Sequence, residues 1–203
     1  MSNTVNSANA NKVNLNPNID PTKVKTGIVR LSYANVWKAK SINGGTPKYS
    51  VSVIIQKNDS ETLGKINKAI EATYRNDLGK LKGGNNKSAP LLSAIKTPLR
   101  DGDSERPEDE AYQGCYFVNA NSAKAPGIVD LGLVPITDTS QVYSGVYARV
   151  SLSFYAFNVN GNKGVACGLQ NIQKVRDGEP LGGKPNPEED FDDGFSVSDE
   201  DIL

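Results

Sequence analysis

The sequence predicts a mainly β fold, namely a small, closed or nearly closed barrel of five or six strands with one inserted helix. Three observations predict it. Short apolar stretches with two-residue alternation recur along the chain, separated by turns rich in Gly, Asn and Pro. Only one segment has helical spacing. The roughly 150 residues between a polar beginning and an acidic end suffice for a single core.

The N-terminal part contains a polar arm followed by two strands. Residues 1–22 are expected to form a disordered arm, because the first 20 residues contain seven Asn and show no apolar periodicity. The first strand is expected at 27–33, and the second at 49–55 after a Gly- and Pro-containing turn. Val29, Leu31 and Tyr33 are predicted to lie on one face of the first strand.

A helix is predicted directly after the second strand. Asp59 and Ser60 are typical N-cap residues. The apolar stripe that follows at helical spacing consists of Leu63, Ile66, Ile70 and Tyr74. The helical pattern ends near Gly79.

The second half returns to β structure. Strands are expected at 115–119, 127–130, 145–157 and 165–174, and Asn160-Gly161 is a strong hairpin signal between the last two. Residues predicted to face inward and outward alternate clearly along the 145–157 strand. Its predicted inward face consists of Val150, Leu152, Phe154 and Ala156. Its outward face consists of Arg149, Ser151, Ser153, Tyr155 and Phe157.

The formal net charge of zero conceals two oppositely charged parts. Residues 1–176 hold 22 Lys/Arg and 13 Asp/Glu, whereas residues 177–203 hold one Lys and ten Asp/Glu. A basic body attracts polyanions, and an attached acidic tail competes with them for the same surface. The alternative is a tail that serves only to keep the protein soluble.

Several classes of function are excluded by composition. The chain has no His, which removes the Ser-His-Asp and Cys-His nucleophile systems. Neither a GxxxxGK[ST] loop nor a GxGxxG turn is present, so we expect no enzyme and no cofactor. Cys115 and Cys167 stand alone and are expected to be free, buried thiols. No apolar run reaches the roughly 18 residues of a membrane span, and no secretory signal is recognisable, so a soluble intracellular protein is expected.

The acidic segment 101–110 leaves a metal-dependent alternative open. Asp101, Asp103 and Glu105 alternate as in a calcium loop, but the positions that need Gly and Glu hold Arg106 and Tyr112. The calcium interpretation fails. A metal-dependent nuclease using the three carboxylates remains an alternative, although the overall prediction assigns no metal.

The basic body with strand-borne aromatic residues is typical of proteins that bind single-stranded nucleic acid without sequence preference. Cationic side chains follow the phosphates, and rings accept bases. The basic candidates are Arg30, Lys38, Lys40, Lys48, Arg75, Arg100 and Arg149. The stacking candidates are Trp37, Tyr116, Tyr155 and Phe157. The alternative is a protein-interaction or structural barrel in which these rings belong to the core.

The tail, residues 184–203, interleaves carboxylates with apolar residues. A tail that serves only solubility needs no such residues, whereas a partner's pocket uses them as anchors while its basic rim attracts the carboxylates. The partner-binding candidates are Asp190, Phe191, Asp192, Asp193, Phe195, Asp199, Glu200, Asp201, Ile202 and Leu203.

The chain resembles a phage family of single-stranded DNA-binding proteins that was formerly catalogued as a domain of unknown function. The resemblance covers about residues 25–183. Its segments are Arg30–Trp37, Ser41–Gly45, Pro47–Ser52, Pro98–Asp103, Tyr112–Asn121, Val142–Gly145, Phe154–Asn158, Gly161–Gly164 and Arg176–Gly183.

The resemblance implies an OB-fold domain at 23–183, similar to that of the podophage proteins that coat single strands. It also implies roles in phage DNA replication, recombination and repair in the cytoplasm of the infected host. The tail would recruit replication proteins such as a polymerase or helicase. The protein as a whole is expected to have no catalytic activity and no membrane contact. Related tails often end in an aromatic residue, whereas this chain ends in Ile202-Leu203. The oligomeric state stays open, a homodimer being one alternative.

Overall fold

The computed structural model describes residues 20–41, 44–82 and 88–182. Eight strands of this part join in one sheet. The strands are β1 (Lys23–Lys25), β2 (Val29–Lys40), β3 (Lys48–Gln56), β4 (Leu99–Asp101), β5 (Cys115–Ser122), β6 (Gly127–Val129), β7 (Tyr147–Val159) and β8 (Asn162–Arg176). The helices are α1 (Ser60–Asn76), α2 (Leu78–Leu81) and α3 (Gly102–Glu105). None of the described helices has the length and apolar character needed to cross a membrane.

Five of the strands close a barrel. β2 pairs with β3, β3 with β5, β5 with β8, β8 with β7, and β7 again with β2. All these pairs are antiparallel except β5 and β8, which run parallel. This closed five-stranded arrangement is that of an OB-fold barrel, which confirms the predicted fold class. The remaining strands, β1, β4 and β6, are three residues long and attach to β7, β5 and β8.

The alternation of β7 places the barrel core where the sequence predicts it. Val150, Leu152 and Phe154 are buried in the main core, whereas Arg149 and Tyr155 face solvent. The hairpin to β8 is also confirmed, since Asn160 and Gly161 adopt φ values of 49° and 80°, as a two-residue turn between twisted strands requires.

Helix α1 covers one side of this core. Asp59 is its N-cap, and the carboxylate accepts a hydrogen bond from the Thr62 backbone N–H at 3.0 Å. Ile66 and Ile70 are buried as predicted, together with Ala69. The helix is interrupted after Asn76, and the short α2 follows before Gly83.

A second apolar cluster lies on the outside of the barrel wall. Its members are Ile54, Tyr112, Cys115 and Phe117. Their strand neighbours Val53 and Val118 belong to the main core, so the second cluster occupies the opposite face of β3 and β5. The acidic segment 101–110 and the residues that follow it up to Gly114 fold over this face, and the Tyr112 hydroxyl donates to Ser52 Oγ at 2.9 Å. The segment therefore covers part of the barrel surface.

The prediction for Tyr33 is wrong. Val29 and Leu31 point inward, but the register of β2 shifts between Ser32 and Asn35, and Tyr33 has φ 47° and is 56% exposed. A bulge of this kind adds a residue to one strand and reverses the side chains that follow. Simple alternation therefore assigns the ring to the wrong face.

Candidate nucleic-acid interface

An open groove of about 630 Å³ crosses the outer face of β2, β3 and β5 beside the second cluster. Its floor arises from the strand register, because Ser52 pairs with Ser32 and Asn119, and Ser50 pairs with Asn121. Small polar side chains thus stand where larger apolar ones would close the surface. The lining residues are Tyr33, Asn35, Lys40, Gly45, Thr46, Lys48, Ser50, Val51, Ser52, Arg106, Asn119, Ala120 and Asn121.

The charged side chains that line the groove are all positive. Lys40 and Lys48 are cross-strand partners near the β2–β3 turn, and Arg106 belongs to the segment that covers the second cluster. Like charges on directly paired strand residues repel one another. Within the described residues the lining contains no carboxylate, so the groove attracts anions.

The floor offers free amide groups. The Asn35 amide is engaged, since it donates to Ser50 Oγ at 3.3 Å and to the Tyr33 carbonyl at 3.2 Å. The side chains of Asn119 and Asn121 make no hydrogen bond with any described residue. Each amide can both donate and accept, which suits the edges of bases or sugars.

The basic candidates occupy different parts of the surface. Lys40 and Lys48 line the groove, and Lys38 is exposed on β2 outside that lining. The other four are engaged with neighbours. Arg30 donates to the carbonyls of Gly145 and Glu179, Arg75 pairs with Glu71, Arg100 pairs with Glu105, and Arg149 donates to Gln173.

Two of the stacking candidates, Trp37 and Tyr116, contact other parts of the folded chain. The Trp37 indole N–H donates to the Val142 carbonyl at 2.8 Å, and its ring packs on the main core. Tyr116 is half-buried beneath Lys57, whose Nζ lies 5.1 Å from the ring centroid.

Tyr155 and Phe157 share the outer face of β7, as predicted. Each ring lies over a glycine of β8. A Cβ at Gly168 would stand 3.6 Å from Tyr155, and one at Gly164 would stand 2.9 Å from Phe157. Gly168 is the β8 partner of Asn121, so the ring of Tyr155 lies over the strand next to the groove floor. Burial raises the pKa of the Tyr155 hydroxyl.

The carboxylates of the acidic segment face cations. The Lys57 ammonium lies 2.9 Å from the Asp101 carboxylate and 2.7 Å from that of Asp103, and Glu105 pairs with Arg100. The contact with Lys57 holds the pKa of Asp103 below its ordinary value, and the two carboxylates raise the pKa of Lys57. Within the described ranges no group of three His, Cys, Asp or Glu residues could hold a metal ion. The ion pairs with Lys57 hold the start of the acidic segment against the end of β3.

The groove residues that sequence reasoning missed include Tyr33, Arg106, Asn119 and Asn121. Simple alternation places Tyr33 on the face of Val29 and Leu31, and the sequence pattern marks Arg106 only as a mismatch to a calcium loop. Asn119 and Asn121 carried a usable signal, because two polar residues alternate with the apolar Val118 and Ala120 in a predicted strand. The tail candidates at 190–203 and the arm at 1–19 lie outside the described residues.

Comparisons with known proteins identify the family. Residues 22–203 match the model of the family described as the single-stranded DNA-binding protein of Enterobacter phage Enc34. A putative protein p50 of Acyrthosiphon pisum secondary endosymbiont phage 1 is 30% identical over 189 residues, which are 89% of this chain and 98% of that protein.

Solved structures agree at the level of the fold. The single-stranded DNA-binding protein of bacteriophage Enc34, solved in complex with single-stranded DNA, superposes with a TM-score of 0.66 at 22% identity, covering 79% of this chain and 90% of the other. The single-stranded DNA-binding protein gp2.5 of bacteriophage T7 gives a TM-score of 0.57 at 14% identity, covering 81% and 97%. With the family match over nearly the whole length, these findings show that the chain belongs to the phage single-stranded DNA-binding protein family typified by that of Enc34.

Proposed function

We propose that this protein binds single-stranded DNA in the groove across β2, β3 and β5. The observation that carries the proposal is a groove with three cations and no carboxylate in its described lining, on the face that OB folds use for oligonucleotides. The Enc34 relative was solved with single-stranded DNA, which supports the same class of ligand here.

Lys40 and Lys48 are proposed to neutralise phosphates, and the free amides of Asn119 and Asn121 to meet bases or sugars above the floor. Contacts with phosphates carry no sequence information, so the affinity that Lys40 and Lys48 supply is expected to be the same for any base sequence. Tyr155 extends the same surface beyond Gly168.

The proposal is tested by titrating an oligo-dT at several salt concentrations. For single strands, log K falls by about 0.7 per log unit of salt for each phosphate contact. The double variant Lys40→Gln/Lys48→Gln is therefore expected to lower the magnitude of the slope of log K against log salt by about 1.4. Its affinity for oligo-dT is expected to fall about tenfold. The control is Lys68→Gln/Lys80→Gln, which removes two exposed charges outside the groove.

Two results would contradict the proposal. Failure of the wild-type protein to bind oligo-dT would favour a barrel that serves protein interaction only. Magnesium-dependent cleavage of labelled DNA would favour the nuclease alternative, since the protein is proposed to act without catalysis, cofactor or metal.

We further propose that residues 23–183 act as the binding domain and coat transient single strands during phage DNA replication, recombination and repair in the cytoplasm of the infected host. Membership in the phage family supports this role. The arm at 1–22 and the tail at 184–203 would flank the domain.

The acidic tail is proposed to have two roles. Its carboxylates compete with DNA for the positive groove, and Phe191 and Phe195 anchor replication proteins such as a polymerase or helicase. The division of charge supports both roles, because residues 177–203 hold ten Asp/Glu and one Lys.

A further inference from the structure

A strained residue stands at the edge of the groove. Tyr33 has φ 47°, in the left-handed region that residues other than glycine rarely occupy. It follows Ser32 at the register shift of β2, where the bulge turns the ring out of the barrel and leaves the residue 56% exposed. Such outliers persist where the surrounding structure imposes them, and they are concentrated at functional sites.

A cation without acceptors lies against the same ring. The half-buried Arg106 guanidinium stands 4.9 Å from the centroid of Tyr33, 4.7 Å from Tyr112 and 5.3 Å from Phe117. Its side chain forms no ion pair and no hydrogen bond with any described residue, although it belongs to an acidic segment. Attraction between a cation and aromatic faces therefore holds the guanidinium in place.

Ion pairs and a hydrogen bond fix the backbone on both sides of Arg106. The Lys57 ammonium clamps Asp101 and Asp103, and Asp103 also accepts the Gly114 N–H at 2.7 Å. The segment thus returns to the barrel at both ends of the loop that carries Arg106. These contacts fix the backbone that carries Arg106 against the barrel, and the guanidinium lies between Tyr33 and the rings of Tyr112 and Phe117.

We propose that Tyr33 is a base-stacking residue of the groove and that Arg106 is a positioning residue that holds its ring from one face. The ligand is an unpaired base of a single strand, received on the accessible part of the ring, while Lys40 and Lys48 meet the phosphates. This inference rests on the proposed function and adds a subsite to it. It also gives the acidic segment a role, which is to carry Arg106 to the ring.

The test compares two oligonucleotides of equal length, an oligo-dT and one with abasic sites. Tyr33→Ala is expected to lower the affinity for oligo-dT at least about fivefold, with little effect on the abasic strand and none on the salt slope. Tyr33→Phe keeps the ring and is expected to recover most of the loss. The control is Ile28→Ala, which removes a side chain of similar exposure (58%) outside the groove lining.

Arg106→Met separates positioning from phosphate contact. If Arg106 supports the ring, Arg106→Met loses preference for oligo-dT over the abasic strand and keeps the salt slope of the wild type. Arg106→Lys recovers part of that preference. In a Tyr33→Ala background, Arg106→Met causes no further loss of preference. A slope lowered by about 0.7 would make Arg106 a phosphate contact and overturn its positioning role. Thermal unfolding of each variant verifies that the second cluster stays folded.

The outcomes also separate the two proposals. Absence of wild-type binding to oligo-dT would contradict the proposed function itself. Strong wild-type binding that Tyr33→Ala leaves unchanged would contradict only the stacking role, and the groove would then act through its cations and amides alone.

Discussion

The Asp103 carboxylate meets a lysine and a backbone amide that both favour its charged form. Lys57 and the Gly114 N–H each lie 2.7 Å away, and they hold the pKa of Asp103 below its ordinary 3.8. Because the pKa is lower in the folded protein than in the unfolded chain, these contacts stabilise the fold above about pH 4. Their contribution disappears as the pH falls through the folded-state pKa.

At the residue scale, Asp103→Asn is therefore expected to lower the Tm at pH 7, and the difference from the wild type is expected to shrink as the pH falls below about 4. Thermal unfolding followed by circular dichroism at pH 7, 4 and 2.5 measures it. Glu108→Gln is the matched control, since this exposed carboxylate has no described polar partner. A difference that stays constant over the pH range would show that the charge on Asp103 is not the cause.

Individual residues also show why only some of the predicted basic candidates lie in the groove. Lys40 and Lys48 reach the groove because they flank a local turn. Arg30 was equally plausible from composition, but the carbonyls of Gly145 and Glu179, which lie more than 100 positions away in the sequence, engage it. The partner of a long side chain depends on chain segments far away in the sequence.

At the scale of elements, the acidic segment packs closely against the backbone of Tyr112 and of β5 at Gly102. Gly102 opens α3, and a Cβ there would lie 2.3 Å from the Tyr112 carbonyl oxygen and 2.8 Å from that of Cys115. Both obstacles are backbone atoms, which cannot rotate away. The glycine is therefore required by this approach.

Gly102→Ala is expected to lower the free energy of unfolding by about 1–3 kcal/mol, as overpacking does elsewhere. The affinity for oligo-dT is expected to fall as well, because the segment carries Arg106. Gly79→Ala in α2 is the control: nothing lies within 4 Å of the added Cβ, and the helix is expected to gain up to about 1 kcal/mol. Urea denaturation measures both. Equal stability of Gly102→Ala and the wild type would refute the tight fit.

Elements with a local signature were predicted well from the sequence. The Asp59 cap, the helical spacing of α1 and the Asn160-Gly161 turn each act over a few residues, and each is confirmed. The strands β1 and β4, each three residues long, were missed. They form because β7 and β5 present free edges to them.

At the scale of the whole molecule, the acidic tail and the positive groove are joined in one chain. A tethered segment has an effective concentration of about 1 mM, so a tail that binds the groove with a Kd of about 0.1 mM would weaken DNA binding about tenfold. Deletion of residues 184–203 is therefore expected to tighten oligo-dT binding about tenfold at low salt, and less at high salt where the charges are screened.

Fluorescence anisotropy of a labelled oligo-dT measures this effect. Replacing the tail by a neutral Gly- and Ser-rich segment of equal length is the matched control, and it should tighten binding as much as the deletion. Unchanged or weaker binding after deletion would rule out competition by the tail.

The sequence by itself determined the barrel strands, the helix, the hairpin and the separation of charge between body and tail. Two-residue and 3.6-residue periodicity, caps and turn residues act within short stretches, and charge adds up along the chain without reference to the fold. Only the tertiary structure decided that Tyr33 leaves the face of Val29 and Leu31, that the acidic segment covers the barrel, and that Arg106 meets Tyr33 at the groove. Those outcomes depend on a register shift between paired strands and on packing between residues more than 70 positions apart.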